Sequence, residues 1–318
     1  MNTVESPIFS GSITLTSVQA AIIKSLLYYD IFEHPLRKEE LYSMLSIPGI
    51  EKSEFEVELQ TLISDGIVTD FNGFFTVFSC AKSVKRRIEG EAKAAKMLDK
   101  VKKYSRLIAS FPYVRTVCLS GSFSKHVMND DSDVDYFIIT APNRLWIART
   151  FLILFKKIFL LNSKKYFCVN YFIAEDNSEI SEKNIFTATE IATLIPVYNY
   201  EGYQNFLNTN SWYKQFYPDF PARAGDLLVE SSNGLKRAGE VLLNSGLGNK
   251  LDNLFFRITL RHWEKKFSNI NRESFQLRLR SKKSESKHHP QGFQERVLEH
   301  FGKMISRFEQ EFKMKVQS

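Results

Sequence analysis

Cysteine is scarce, with only Cys80, Cys118 and Cys168 in 318 residues, and no two of them form a CxxC pair. That spacing argues against a zinc site and against a disulfide framework. Cys118 and Cys168 lie in apolar, strand-like runs and are expected to be buried thiols. The first residues, Met-Asn-Thr-Val-Glu-Ser-Pro, have neither the basic region nor the apolar core of a signal peptide, so a cytoplasmic location is expected. The most apolar stretch, residues 146–161, is interrupted by Arg149, Lys156 and Lys157. It falls short of the roughly 18 continuous apolar residues that a membrane span needs, and a buried helix over the central sheet is expected, with an interfacial helix as the alternative. The chain also has no GxxxxGK[ST] phosphate loop and no internal repeat.

What is present is the composition of an ordinary globular protein: 43% apolar residues, 25% charged residues and 27 phenylalanines, enough for a sizeable core in two or three domains. The net charge of +7 is uneven, since residues 256–318 hold 15 Lys and Arg against 7 Glu. Such a segment suits RNA, an acidic partner or nucleotide phosphates, or it simply forms solvated helix faces. Residues 278–289 are polar and read as a loop.

Apolar residues at i, i+3, i+4 and i+7 predict a helix over residues 15–28, and a short helix over 38–45 follows Pro35. A third helix is expected over 53–64, with Gly66 as its C-cap. Strands over 67–69 and 74–78 flank Asp70-Phe71-Asn72-Gly73, whose Asn-Gly pair signals a hairpin. This pattern over residues 15–80 resembles a winged helix-turn-helix. DNA is an unlikely ligand for it: the third helix and its lead-in carry Glu51, Glu54, Glu56, Glu58 and Asp65 against Lys52, and phosphate would repel them. A scaffolding or protein-partner role is expected instead. A long helix follows over 82–110. Farther on, the reading is a helix over 185–196 ended by Pro196, an aromatic-rich segment over 200–222 that suits a helical core or base stacking, and a mostly helical remainder.

The stretch with most chemical content is Leu119-Ser120-Gly121-Ser122, then ten residues, then Asp133-Val134-Asp135 opening a second apolar run. Residues i and i+2 of a strand share a face, about 6–7 Å apart at Cα, so two aspartates would project side by side. Their repulsion is relieved by a divalent cation, and hard oxygen ligands suit Mg²⁺ or Mn²⁺. Gly121 allows backbone to approach a ligand, Ser122 opens a short helix facing an anion, and Lys125 can reach a phosphate as a point charge. His126 could move a proton or lie in an exposed loop. A Gly-Ser turn beside two surface aspartates is the plain alternative.

This motif, Leu119-Ser-Gly-Ser through Asp133-Val-Asp135-Tyr-Phe-Ile-Ile, resembles the signature of the polymerase-β-type nucleotidyltransferase superfamily. The whole chain is similar to bacterial nucleotidyltransferase-domain proteins with an N-terminal winged helix. The resemblance implies an α/β (α+β) fold: a mixed-sheet nucleotidyltransferase core with helices on one side, an N-terminal winged helix and a C-terminal helical region. The expected domains are 1–81, 82–180 and 181–318. It also implies metal-dependent transfer of a nucleoside monophosphate from a triphosphate such as ATP to an acceptor. Gly121 and Ser122 would hold the phosphates, and Asp133 and Asp135 would bind the catalytic Mg²⁺ or Mn²⁺. The chain departs from the family on its third strand, 166–174, where members often add a carboxylate: Asn170 stands at its centre, and Glu175 and Asp176 come only at its end. A weakly active or inactive nucleotide-binding or assembly protein is therefore the alternative, and Asn170 could orient a metal-bound water or satisfy a backbone group.

Overall fold

A computed structural model describes residues 15–231, 234–244 and 246–316 of the chain. The N-terminal stretch read above for a signal peptide lies outside the described residues. The protein is a mixed α/β structure that divides into two compact units. Of the described residues, the first unit takes those within 15–86, 214–220 and 296–316, and the second those within 87–213 and 221–295.

The first unit begins with α1 (Ser17–Asp30), whose N-terminus is closed by a capping box between Thr16 and Gln19. Strand β1 (Leu36–Arg37) and helix α2 (Lys38–Ser43) follow. In α3 (Lys52–Ser64) the buried residues are Phe55, Leu59 and Leu62, one stripe at i, i+4 and i+7; Glu54 and Glu56 face solvent, and the half-buried Glu58 accepts from Thr16 and Gln19. Strands β2 (Thr69–Asp70) and β3 (Phe74–Thr76) pair antiparallel, with β1 on the other side of β3. Asn72 and Gly73 both have positive φ (55° and 84°), as the predicted Asn-Gly hairpin requires. The buried carboxylate of Asp30 ties α1 to this hairpin: it accepts the Val77 and Phe78 N–H groups at 2.9 and 2.7 Å and the hydroxyls of Thr76 and Ser79.

Helix α4 (Ala81–Ala109) leads into the second unit, where strands β4 (Val114–Ser120), β5 (Asp135–Thr140), β6 (Cys168–Ala174), β7 (Ile195–Tyr198), β8 (Ser281–Lys282) and β9 (Glu285–Lys287) form one sheet in the order β7-β4-β5-β6-β9-β8. Only β5 and β6 are parallel. They are joined through α6 (Leu145–Phe159), the crossover that parallel neighbours need. The short α5 (Gly121–Ser124) turns off the end of β4. Helices α7 (Ile185–Ala192), α8 (Tyr200–Thr209), α9 (Gly234–Leu243), α10 (Gly246–Lys266) and α11 (Arg272–Arg278) complete this unit, and α12 (Phe293–Phe312) carries the chain back to the first.

Alternation along the strands sends Val117, Leu119, Tyr136 and Ile138 into a core with α4 and α6. Phe137 of β5 points the other way, against Phe206 of α8 at a ring distance of 4.9 Å. Helices thus lie on both faces of the sheet, not on one. The amino-terminal half of α6 is buried as expected, but Leu154, Ile158 and Phe159 toward its end are exposed. The C-terminal part of the chain is not all helical, since it supplies β7, β8 and β9. Pro196 does not end a helix but sits within β7, where an edge strand tolerates its missing N–H. Residues 278–289, read as a loop, carry β8 and β9. Their strand is polar yet buried, because Glu285 accepts from the Tyr171 hydroxyl at 2.8 Å and pairs with Arg280. Among the described residues, no helix is long and apolar enough to cross a membrane.

Candidate active site

Strand register brings one end of three strands together: Ser120 at the end of β4 lies opposite Asp135 at the start of β5, and Asp135 lies opposite Cys168 at the start of β6. Gly121 makes the corner. Its φ is +62°, and a β-carbon there would lie 2.6 Å from Asp135 Oδ2. Its backbone conformation favours glycine, and a β-carbon there would force the Asp135 carboxylate to move. Ser122 follows it, exposed at the first turn of α5. Asp133 is half-buried and lies two residues before β5, next to Val134, whose N–H donates to the Lys165 carbonyl at 2.9 Å.

The parallel β5–β6 ladder slips by one residue between Tyr136–Val169 and Phe137–Tyr171, leaving Asn170 as the extra residue. Such a bulge re-aims a side chain. The Asn170 amide donates to Asp135 Oδ1 at 3.4 Å and lies 3.0 Å from Cys168 Sγ. Glu175 and Asp176 follow the far end of β6, about 20 Å along the strand from Cys168, and stay away from this corner. Cys168 is buried, as its apolar surroundings predict, but it also belongs to the site: its thiol donates to Asp135.

Burial pushes the Asp135 carboxyl up to about 6; the Cys168 thiol pulls it back, the negative charges of Asp133 and Glu190 push it further up, and the Lys125 ammonium opposes them. Glu190, on α7, is the acid that motif reading missed. Its carboxylate receives Lys125 Nζ at 2.8 Å and the Gly121 N–H at 3.4 Å. It is the single charged side chain of α7 (Ile-Phe-Thr-Ala-Thr-Glu-Ile-Ala), an isolated charge on an otherwise apolar helix, which is the signal that could have marked it. The fold delivers it here because β7 runs antiparallel to β4, so the helix preceding β7 arrives where β4 ends. Lys125 also donates to the Gly121 carbonyl at 3.2 Å. His126 is exposed, at φ +57°.

The strand β9 brings two more imidazoles to this end of the sheet. His288 donates its backbone N–H to the Asn170 carbonyl at 3.1 Å. Burial lowers the His288 ring to about 3 and the His289 ring to about 4, the latter opposed by the charge of Glu190. Both rings are neutral at physiological pH.

Two carboxylates at a glycine corner, a cation beside them and an amide holding one carboxylate in orientation can bind a phosphate chain with its counter-cation. Among the described residues, no group of three or more His, Cys, Asp or Glu side chains is placed to hold a metal ion. The chain matches no family model, no curated protein and no solved structure.

Proposed function

We propose that the protein is a nucleotidyltransferase that moves a nucleoside monophosphate from a nucleoside triphosphate to an acceptor hydroxyl. The observation that carries this reading is the Gly121–Asp135 approach: a small-residue corner pressed against a carboxylate at the mouth of three strands, with Asp133 two residues before it. Asp133 and Asp135 offer the hard oxygens that Mg²⁺ or Mn²⁺ takes, and a divalent ion relieves the burial and repulsion that raise Asp135. The two aspartates would hold the ion, and such ions keep waters or phosphate oxygens in their other positions. When bound, it would neutralise charge developing on the phosphates.

The chain's own groups do the positioning. The Gly121 N–H and the Lys125 ammonium orient phosphate oxygens, and the exposed Ser122 hydroxyl adds a donor at the same corner. Asn170 and Cys168 hold the Asp135 carboxylate in one orientation. Pre-set orientation and charge are what such a transfer needs from a protein.

Incubation with each labelled triphosphate, Mg²⁺ or Mn²⁺ and a cell extract should give a labelled product. Asp133→Asn and Asp135→Asn should each lose it, with the far-ultraviolet circular dichroism unchanged. Wild-type turnover in both variants overturns the assignment. The second reading, a nucleotide-binding assembly protein without turnover, is favoured by Asn170, an amide where the resembled family carries an acid. It predicts nucleotide binding with no labelled product in any extract. Residues 15–80, with three helices, a small antiparallel sheet and exposed glutamates on α3, fit a winged-helix module for a protein partner better than one for DNA.

A further inference from the structure

The carboxylate of Glu190 and a ligand's phosphate compete for the same donors. Glu190 bonds Lys125 Nζ and the Gly121 N–H, the two groups at the corner that would receive a phosphate oxygen, and the Lys125 and Glu190 side chains are 19% and 30% exposed. We infer that Glu190 is a resident stand-in for the ligand, its carboxylate occupying the seat of a phosphate oxyanion, and that a polyphosphate binds by displacing it. This inference rests on the nucleotide reading of the corner.

Two features of the arrangement support displacement rather than a fixed structural pair. A carboxylate and a phosphate oxygen are chemically alike as acceptors: each takes charge-assisted hydrogen bonds from an ammonium and a backbone N–H. The pair is reached by solvent, so its net strength is that of a partly exposed ion pair and a phosphate carrying more charge can outbid it.

The test uses inorganic tripolyphosphate as the probe, with the full-length protein in a chelator so that no divalent ion contributes, and isothermal titration as the readout. Glu190→Gln keeps the shape of the side chain but removes its charge. The expected result is binding about threefold to fivefold tighter than wild type, the size of a partly exposed ion pair expressed as affinity. Lys125→Met should weaken binding in both backgrounds. Glu190→Asp, which withdraws the carboxylate by one methylene, should also tighten binding and serves if the glutamine variant does not fold. Wild type binding tripolyphosphate with Glu190→Gln equal to it or weaker overturns the displacement, and assigns Glu190 to ligand binding itself or to holding Lys125. If nothing binds in the chelator, the same comparison is made with Mg²⁺ present, and no binding there by wild type or by any folded variant rejects the nucleotide reading of the corner and the displacement with it.

Discussion

Asp135 carries an energetic cost that the rest of the site explains. An aspartate in an unfolded chain titrates near 3.9, whereas burial holds this one at about 6. Folding therefore takes up a proton between about pH 4 and pH 6. The sign follows: stability falls as pH rises through that window, the full cost applies above pH 6, and it vanishes as pH drops below about 4. Asp135→Asn keeps the shape and removes the charge. It should raise the melting temperature by about 2–5 °C at pH 7.5, equivalent to about 1–2 kcal/mol, with a much smaller gain at pH 4.5. Calorimetry at the two pH values checks this, and an unchanged or lower melting point at pH 7.5 contradicts it. Such a gain, coupled to lost turnover, is the signature of a group kept for chemistry at the expense of stability.

Helix α6 shows how an element can depend on a residue far along the chain. Its N-cap residue, Arg144, makes no side-chain cap. The first turn is instead capped by Asp252 of α10, which is fully buried and accepts the N–H groups of Trp146 and Ile147 at 2.9 and 3.0 Å, with Lys283 balancing its charge. Those N–H groups would otherwise be buried without an acceptor. Asp252→Ala should destabilise the protein by about 3–5 kcal/mol, because it strands both donors and the lysine. Urea denaturation reads the loss, and a change below about 1 kcal/mol would show that water replaces the cap. The same logic accounts for two residues of β9: Glu285 is buried with partners in Tyr171 and Arg280, and Lys287 with one in Gln294, whereas the buried Ser286 hydroxyl has none among the described residues.

The two units do not follow the order of the chain. Sequence reading divides it at 81 and 180, but the second unit draws β7, β8 and β9 from beyond residue 180, and the first regains residues 296–316. There the buried Phe308 sits on α12, Phe301 packs on Tyr28 and Phe312 on Phe78. A fragment of residues 82–180 keeps β4, β5 and β6 but loses the strands on both flanks, exposing two unpaired edges. It should show no cooperative unfolding by circular dichroism, and a sharp, reversible transition would mean that the three strands suffice. Two of the basic side chains of residues 256–318 pair with carboxylates from outside that segment, Arg280 with Glu182 and Lys283 with Asp252, while Arg278 pairs with Glu295 inside it.

Features that depend on neighbours in the chain were legible in the amino-acid order. Helix α1, the stripe of α3, the Asn72-Gly73 hairpin and the strands around Cys118 and Phe137 rest on spacings of a few residues, where periodicity and turn chemistry act, and Gly121 meets Asp135 across one short connection between adjacent strands. Glu190, the remote cap on α6, the polar strand β9 and the division into units were not legible. Glu190 meets Gly121 and Lys125 across 69 and 65 residues, and Asp252 meets Trp146 across 106. At such separations only the packing of the sheet decides which polar group finds which partner. Once buried, each must find one, because the interior offers it no water.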